Sequence, residues 1–216
     1  MPRHYVSLGS DCLVAHRLRQ IQSKETYFFD WIETSFETVL QLLAIPTLDQ
    51  VSQQLSTNIV FDKDLFEGHR IFTCKSFDRL RSLHDLPPNG HEPVIFNTHF
   101  LQKHVRRYER FLSLLSKEPD VTFIHFVHNI DTILMEQIHT FFKFLHNLHS
   151  NNNFKLIILY QYTQDETILN NNIRTIPSVT CENLRDYHIH PIPNTPRNWT
   201  LPHVNWDEIW KKCKIV

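Results

Sequence analysis

Cys12 is the residue whose chemistry the sequence indicates most directly. A short strand with alternating apolar residues ends at Leu8, Gly9 breaks it, and a helical pattern begins at Leu13. Cys12 is therefore expected in the first turn of a helix, just beyond the carboxyl end of a strand. Free backbone N–H groups and the positive end of the helix dipole favour a thiolate there, which is a nucleophile. The competing interpretation is a buried and inert cysteine, because free cysteine is among the most buried residue types.

If Cys12 is a reactive thiol, it should be partly exposed. Further polar residues are expected near it. Ser10 and Asp11 lie in the same turn, where they are good N-cap residues and candidate substrate contacts. His99 and His128 follow two other predicted strands, and sites in parallel sheets form at the carboxyl ends of strands. Either histidine is therefore a candidate for the same pocket and for the role of a base.

Three arginines lie on the polar side of a predicted amphipathic helix, called the arginine helix below: Arg106, Arg107 and Arg110. Such residues usually form a solvated face, and the functional alternative is a clamp for a carboxylate, phosphate or acidic sugar. Arg107 is the one expected to reach the pocket and bind an anionic part of a substrate, because this helix follows the predicted strand that precedes His99.

Composition indicates an ordinary folded protein without a cofactor. A chain of 216 residues with 41% hydrophobic residues supports one large core and a single domain over residues 1–216. A net charge of −1 predicts no attraction to nucleic acid, and with 3 glycines no glycine-rich phosphate-binding motif occurs. His188 and His190 lack a third ligand with clear spacing, so no metal is expected.

The cysteines and the apolar runs indicate the expected compartment. The 4 cysteines form no C-x-x-C pair, so free thiols in a reducing compartment are the simpler interpretation. The first residues contain no apolar signal region, and no apolar run approaches the ~20 residues of a membrane span. We therefore expect a cytoplasmic protein that does not enter membranes.

The chain alternates between strand and helix patterns. Strands are predicted at Tyr5–Leu8, Arg70–Thr73, Val94–Asn97, Thr122–Val127 and Lys155–Tyr160. The last two are continuous apolar runs, which suit central parallel strands covered on both faces. Apolar stripes predict intervening helices, most clearly over Leu134 to Leu148. The predicted fold class is α/β, a single three-layer domain whose mostly parallel sheet is flanked by helices and contains all of these strands except Arg70–Thr73.

Several segments also carry a set of motifs. In chain order they are Leu8-Gly9-Ser10-Asp11-Cys12, Phe29-Asp30-Trp31-Ile32, Ser82-Leu83-His84-Asp85-Leu86-Pro87, the arginine helix from Arg106 to Leu112, the apolar strand and helix from Val121 to Leu148, and a tail with Trp199, Trp206 and Trp210. Together they resemble the family described as putative papain-like cysteine peptidases, otherwise of unknown function, from bacteria, fungi and large DNA viruses. Where that family has an arginine after the apolar strand, this chain offers His125 or His128, so no permanent charge is expected there.

The resemblance implies a cysteine-dependent hydrolase with Cys12 as nucleophile. His84 occupies the His-Asp segment of the family and is implied to take the thiol proton, while Asp30 or Asp85 orients the imidazole. Adjacent residues of an extended strand point to opposite faces, so Asp30 is favoured and Asp85 is kept as a substrate contact. Structural alternatives stay open, with Asp30 as the cap of the following helix and His84 as a surface histidine paired with aspartate.

Two further functions also stay open. A papain-like fold places its cysteine on a central helix and its histidine on a separate antiparallel domain, whereas Cys12 is predicted directly after the first strand of a parallel layer. That placement resembles SGNH-type esterases and acyltransferases, and the Gly-Ser-Cys and Gly-Asn-Cys proteins encoded with polysaccharide genes. The expected substrate is therefore a peptide or an acylated glycan. The third alternative is a domain that binds a ligand or partner without catalysis, and no oligomeric state is predicted.

Overall fold

The computed structural model describes residues 4–9, 12–21, 25–66, 69–77, 79–82, 93–118, 120–127, 135–148, 153–162, 187–193 and 205–212. Five of the predicted site residues lie outside the described residues, namely Ser10, Asp11, His84, Asp85 and His128.

The described chain forms two sheets and a set of helices. The strands are β1 (His4–Ser7), β2 (Ile32–Glu33), β3 (Ile59–Phe66), β4 (His69–Cys74), β5 (Leu80–Ser82), β6 (Val121–Val127), β7 (Lys155–Tyr162) and β8 (Tyr187–Pro193). The helices are α1 (Leu13–Leu18), α2 (Phe36–Leu43), α3 (Leu48–Thr57), α4 (Pro93–Lys117), α5 (Met135–Leu148) and α6 (Trp206–Lys212), together with a 3₁₀ helix over Phe28–Trp31.

The first sheet is parallel and has the strand order β1-β6-β7-β8. Its central strands are buried on both faces, which explains why they are continuous apolar runs in the sequence. One face is covered by the 3₁₀ helix, α2, α4 and α5, and the opposite face by α1 and α6. The predicted α/β class, with a parallel sheet between helical layers, is therefore confirmed.

The prediction of a strand at Val94–Asn97 is wrong. These residues belong to α4, which runs for 25 residues from Pro93 to Lys117. A short apolar run suits a buried helix as well as a strand, and proline is well tolerated in the first turn of a helix. His99 therefore does not follow a strand, and its side chain is exposed on α4. No helix among the described residues is long and apolar enough to cross a membrane.

The second sheet is antiparallel, with the order β2-β5-β4-β3. The strand predicted at Arg70–Thr73 is confirmed as part of β4, but its neighbours β3 and β5 were not predicted. The two sheets share a core, because Cys74 and Leu80 of the second sheet belong to the same buried cluster as Phe123 and Leu156 of the first.

Candidate active site

Cys12 lies where β1 gives way to α1, at the N-cap of that helix. Its backbone is already helical, with φ −76° and ψ −6°, and its carbonyl accepts the His16 N–H at 2.9 Å. The expected position is therefore confirmed to within one residue, although Cys12 itself holds the cap position predicted for Ser10 or Asp11. Because α1 has only six residues, its dipole is small, and the reactivity of Cys12 depends more on its neighbours.

The expected partial exposure of Cys12 is wrong, because the residue is only 3% exposed. Helix α1 packs its Leu13, Val14 and Leu18 side chains on the parallel sheet and against Trp206 and Trp210 of α6. Contacts between α1 and the 3₁₀ helix enclose the same segment from another side. The α6 tryptophans come from the far end of the sequence, so the local pattern did not reveal that α1 is covered by them.

Backbone hydrogen bonds fix the end of β1 immediately before this turn. The Leu8 N–H donates to the Ile124 carbonyl of β6 at 2.9 Å, and the Gly9 N–H donates to Ser7 Oγ at 3.2 Å. The Leu8 carbonyl lies 3.3 Å from Nδ1 of His125, also on β6. The chain therefore leaves the sheet from a fixed point, four residues before Cys12.

Gly9 brings the Cys12 turn against the segment that contains Asp30. Its φ of +82° is in the left-handed region that favours glycine. A Cβ atom there would overlap the Thr34 side chain and lie 2.9 Å from the Ile32 carbonyl oxygen. The first two motifs of the family pattern are thus neighbours in space, and only glycine allows this approach.

Asp30 is buried in the 3₁₀ helix, at 7% exposure. Its Oδ2 accepts the Tyr27 N–H at 2.9 Å, so it caps the 3₁₀ helix that contains it, whereas Ser35 caps the following helix α2. Burial raises the pKa of the Asp30 carboxyl to about 7, despite the opposing effects of the Tyr27 N–H and nearby arginines, of which Arg107 is the strongest. Asp30 therefore has a local structural role and also titrates close to neutral pH.

Three arginines surround the Asp30 segment. Arg19 Nη2 donates to Thr26 Oγ1 and Arg110 Nη1 donates to the Thr26 carbonyl, each at 2.8 Å. The Arg19 guanidinium also stacks 4.6 Å from the ring centre of Trp31. Arg107 is half-buried and acts on Asp30 through its charge. The reason for predicting it at the pocket was a preceding strand, and this reason does not hold because Val94–Asn97 belong to α4. These contacts hold the segment between α1 and α4.

His16 is a candidate that the sequence analysis missed. It follows Cys12 by one helical turn, and side chains four residues apart share a helix face. Because Cα–Cβ bonds tilt toward the helix N-terminus, we expect a long side chain at position 16 to extend toward the turn that contains Cys12. His16 is half-buried; desolvation and then the charges of Arg17 and Arg19 lower its pKa, so its imidazole is neutral at neutral pH. The Cys-x-x-x-His spacing at a predicted helix start was the available signal.

His125 is buried inside the parallel sheet, at 1% exposure. Besides the Leu8 carbonyl, its ring meets Phe36 at a centroid distance of 5.2 Å. Burial lowers the His125 pKa to about 4, although the bond to Leu8 opposes this shift. The His125 ring is therefore neutral near neutral pH.

The described part of the chain contains no group of three His, Cys, Asp or Glu residues that could hold a metal ion. His188 and His190 both belong to strand β8, where residues two positions apart lie on the same face of a strand.

Comparison with known protein families gives one match. The family described as "putative papain-like cysteine peptidase" matches residues 3–162. The chain belongs to this family. The matched range contains Cys12, His16, Asp30 and His125, and it ends with β7, before β8 and α6. Searches of curated proteins and of solved structures give no match.

This member of the family places its candidate nucleophile in a parallel α/β layer. Helix α1 packs on the face of the parallel sheet that carries Ile124 and Phe126. The antiparallel sheet meets a different part of the core, through Cys74 and Leu80. The prediction that Cys12 follows the first strand of a parallel sheet is therefore confirmed.

Proposed function

We propose that this protein is a cysteine-dependent hydrolase in which the Cys12 thiol is the nucleophile. The observation that carries the proposal is the position of Cys12 at the carboxyl end of β1, where α/β sheets place their reactive groups. Membership of the cysteine peptidase family supports thiol chemistry at this point and a peptide as substrate. Ser10 and Asp11 directly precede Cys12 in the sequence and are proposed as substrate contacts.

The proposed reaction passes through a thioester. A neutral imidazole takes the thiol proton, and the thiolate attacks the substrate carbonyl carbon. Backbone N–H groups at the start of α1 stabilise the oxyanion that forms. The imidazolium returns its proton to the leaving amine or alcohol, and water then hydrolyses the thioester to release the acid and regenerate the thiol.

Two histidines are candidates for the proton acceptor. His84 is the acceptor that the family pattern implies, with Asp30 as the group that orients it. His16 is supported by its place one turn after Cys12 and by its lowered pKa, which keeps the imidazole neutral. The variants His84→Gln and His16→Gln distinguish them, because the true acceptor is the one whose loss reduces kcat by about 100-fold or more.

A second candidate function is acyl-ester chemistry on glycans. It is favoured by the parallel sheet with Cys12 directly after β1, an arrangement that resembles the SGNH-type enzymes more than papain. Both functions use the same thioester, so they differ in the leaving group and not in the nucleophile.

Casein peptides and p-nitrophenyl acetate, assayed side by side, test both candidates. We expect turnover of at least one substrate, and loss by about 100-fold or more in Cys12→Ala. Cys74→Ala is the matched control, because Cys74 is the other buried free cysteine among the described residues and should leave turnover unchanged. Turnover that survives in Cys12→Ala, or a wild-type protein that turns over neither substrate, would contradict the proposal.

A further inference from the structure

His125 occupies a position on β6 where its neighbours on the same face are apolar. The residue two positions earlier, Phe123, belongs to the core cluster that also contains Leu8 and Phe36. A histidine buried in such a place loses its hydration, which is unfavourable unless the ring makes a specific hydrogen bond. The bond from its Nδ1 to the Leu8 carbonyl fulfils this requirement.

The partner of Nδ1 determines the state of the His125 ring. A carbonyl oxygen only accepts hydrogen bonds, so Nδ1 must carry a proton to bond to Leu8. Burial keeps the ring neutral, because it lowers the pKa to about 4. The ring is therefore one fixed tautomer, with its proton on Nδ1 and a lone pair on Nε2.

This bond completes the anchoring of Leu8. Its N–H donates to the Ile124 carbonyl and its carbonyl accepts from His125, so adjacent residues of β6 hold both sides of its backbone. The next residue is Gly9, whose close contacts with Ile32 and Thr34 limit how the turn can move. Loss of the His125 donor frees the Leu8 carbonyl at the point where the Cys12 turn begins.

We infer that His125 is a positioning residue for Cys12: by donating from Nδ1 to the Leu8 carbonyl it fixes where the nucleophile turn leaves the sheet. This inference rests on the proposed function, since positioning matters only if Cys12 reacts. An apolar residue would fill the same space in the core without holding the carbonyl, and this difference makes the inference testable.

Three variants separate positioning from simple packing. His125→Leu removes the donor and keeps an apolar side chain, whereas His125→Asn keeps an N–H donor at the same distance from the backbone. His104→Leu is the matched control, because His104 is also a buried histidine at 1% exposure but lies on α4, where its ring contacts Phe28 and Phe100. If His125→Leu does not fold, His125→Met replaces it, since methionine adapts to irregular space.

The measurements are the iodoacetamide alkylation rates of Cys12 and Cys74, resolved by peptide mass spectrometry, and kcat and KM on the better substrate. In His125→Leu we expect alkylation of Cys12 to rise about fivefold or more while that of Cys74 is unchanged, because only the Cys12 turn opens. We expect kcat to fall about tenfold with KM changed by less than about threefold, and His125→Asn to restore both.

Three results would overturn the inference: equal acceleration of both cysteines in His125→Leu, failure of His125→Asn to restore the wild-type behaviour, or a Cys12-dependent turnover that is identical in His125→Leu. In His104→Leu any acceleration should affect both cysteines together, because it follows from lower global stability. The failure of the proposed function is distinguishable. A wild-type protein without turnover whose Cys12 alkylation still follows the His125 donor retains the anchor and loses the hydrolase. A Cys12-dependent turnover that is identical in His125→Leu retains the hydrolase and excludes positioning.

Discussion

Cys12 and Cys74 are both buried, yet they lie in different kinds of surroundings. Cys74 is a residue of β4 within the antiparallel sheet, it is 0% exposed, and its thiol donates to the Gln54 carbonyl at 3.7 Å. Burial raises the pKa of the Cys74 thiol, despite opposing hydrogen bonds from Ser76. Cys12 instead ends the turn between β1 and α1 and belongs to neither apolar core cluster.

Burial alone does not distinguish the two cysteines, because both are almost fully buried. Cys74 sits inside a strand whose side chains fill the core, and burial there favours the neutral thiol. Cys12 sits at the carboxyl end of a strand, beside backbone N–H groups at a helix start and one turn from His16. The two cysteines therefore differ in their positions relative to the sheets and not in their exposure.

The largest change is expected in the stability of the protein, when Gly9 in the turn between β1 and Cys12 is replaced. Gly9→Ala should lower the free energy of unfolding by about 2–5 kcal/mol, because it combines a left-handed backbone with overlap against Thr34. Urea unfolding measures the effect, and Thr34→Ser in the same chain should recover part of it by removing the methyl group. An unfolding free energy within about 0.5 kcal/mol of the wild type would show that neither the backbone nor Thr34 constrains this turn.

The second effect concerns the two thiols directly. Iodoacetamide at about pH 6.5 should alkylate Cys12 about tenfold faster than Cys74, because the raised pKa of Cys74 keeps it in the thiol form. Peptide mass spectrometry of the native protein gives both rates in one sample. Equal rates, or faster labelling of Cys74, would favour an inert Cys12.

The third effect is a dependence of stability on pH. The Asp30 pKa in the folded protein, about 7, is above the ordinary value near 3.9, so between these values the folded state keeps a proton that the unfolded state has lost. The free energy of unfolding should therefore fall as the pH rises through this window and level off above it. Asp30→Asn should remove this dependence, which urea unfolding at about pH 5 and pH 8 measures.

Asp49→Asn is the control for this measurement, because Asp49 is an exposed carboxyl group in the first turn of α3. It should leave the pH dependence of the wild type in place. If stability instead rises with pH through the titration of Asp30, the arginine charges outweigh desolvation and the Asp30 pKa is lowered rather than raised.

The smallest change in stability is expected at Arg79, next to Leu80, the residue of β5 that pairs with Cys74. Arg79 has a φ of +53° in the turn before β5, a conformation that disfavours residues other than glycine. Arg79→Gly should therefore raise the free energy of unfolding by up to about 1 kcal/mol, partly offset by the greater freedom of glycine in the unfolded chain. A thermal or urea unfolding experiment measures the change, and clear destabilisation would show that the Arg79 side chain contributes more than its backbone strain costs.

Much of the parallel half of the fold could be predicted from the sequence. The continuous apolar runs of β6 and β7 and the periodic apolar stripe of α5 are strong signals, because the two strands are buried on both faces and the helix on one. β3 contains Asp62, Lys63 and Asp64 and lies at a sheet edge, where charges are tolerated, so its pattern did not look like a strand. β8 carries two prolines, which argue against a strand at the sequence level.

The candidate site was only partly predictable, because local sequence signals do not encode contacts between distant segments. The position of Cys12 follows from local signals, namely Gly9 and a helical pattern that begins at Leu13. Helix α1 packs against Trp206 and Trp210 from the far end of the sequence, and the raised pKa of Asp30 depends on burial in the tertiary structure; no local pattern encodes either. The position of Cys12 could therefore be predicted from the local sequence, whereas its exposure and the charge state of Asp30 required the tertiary structure.

Trapping of the thioester intermediate tests the central claim most directly. The protein is mixed with p-nitrophenyl acetate, quenched in acid within the first turnovers, digested and mapped by mass spectrometry. We predict an acetyl group on the peptide that contains Cys12, present in wild type and Cys74→Ala and absent in Cys12→Ala. Acetylation only at Cys74 or lysine residues, or the absence of an adduct at Cys12 while product accumulates, would contradict the assignment of Cys12 as the nucleophile.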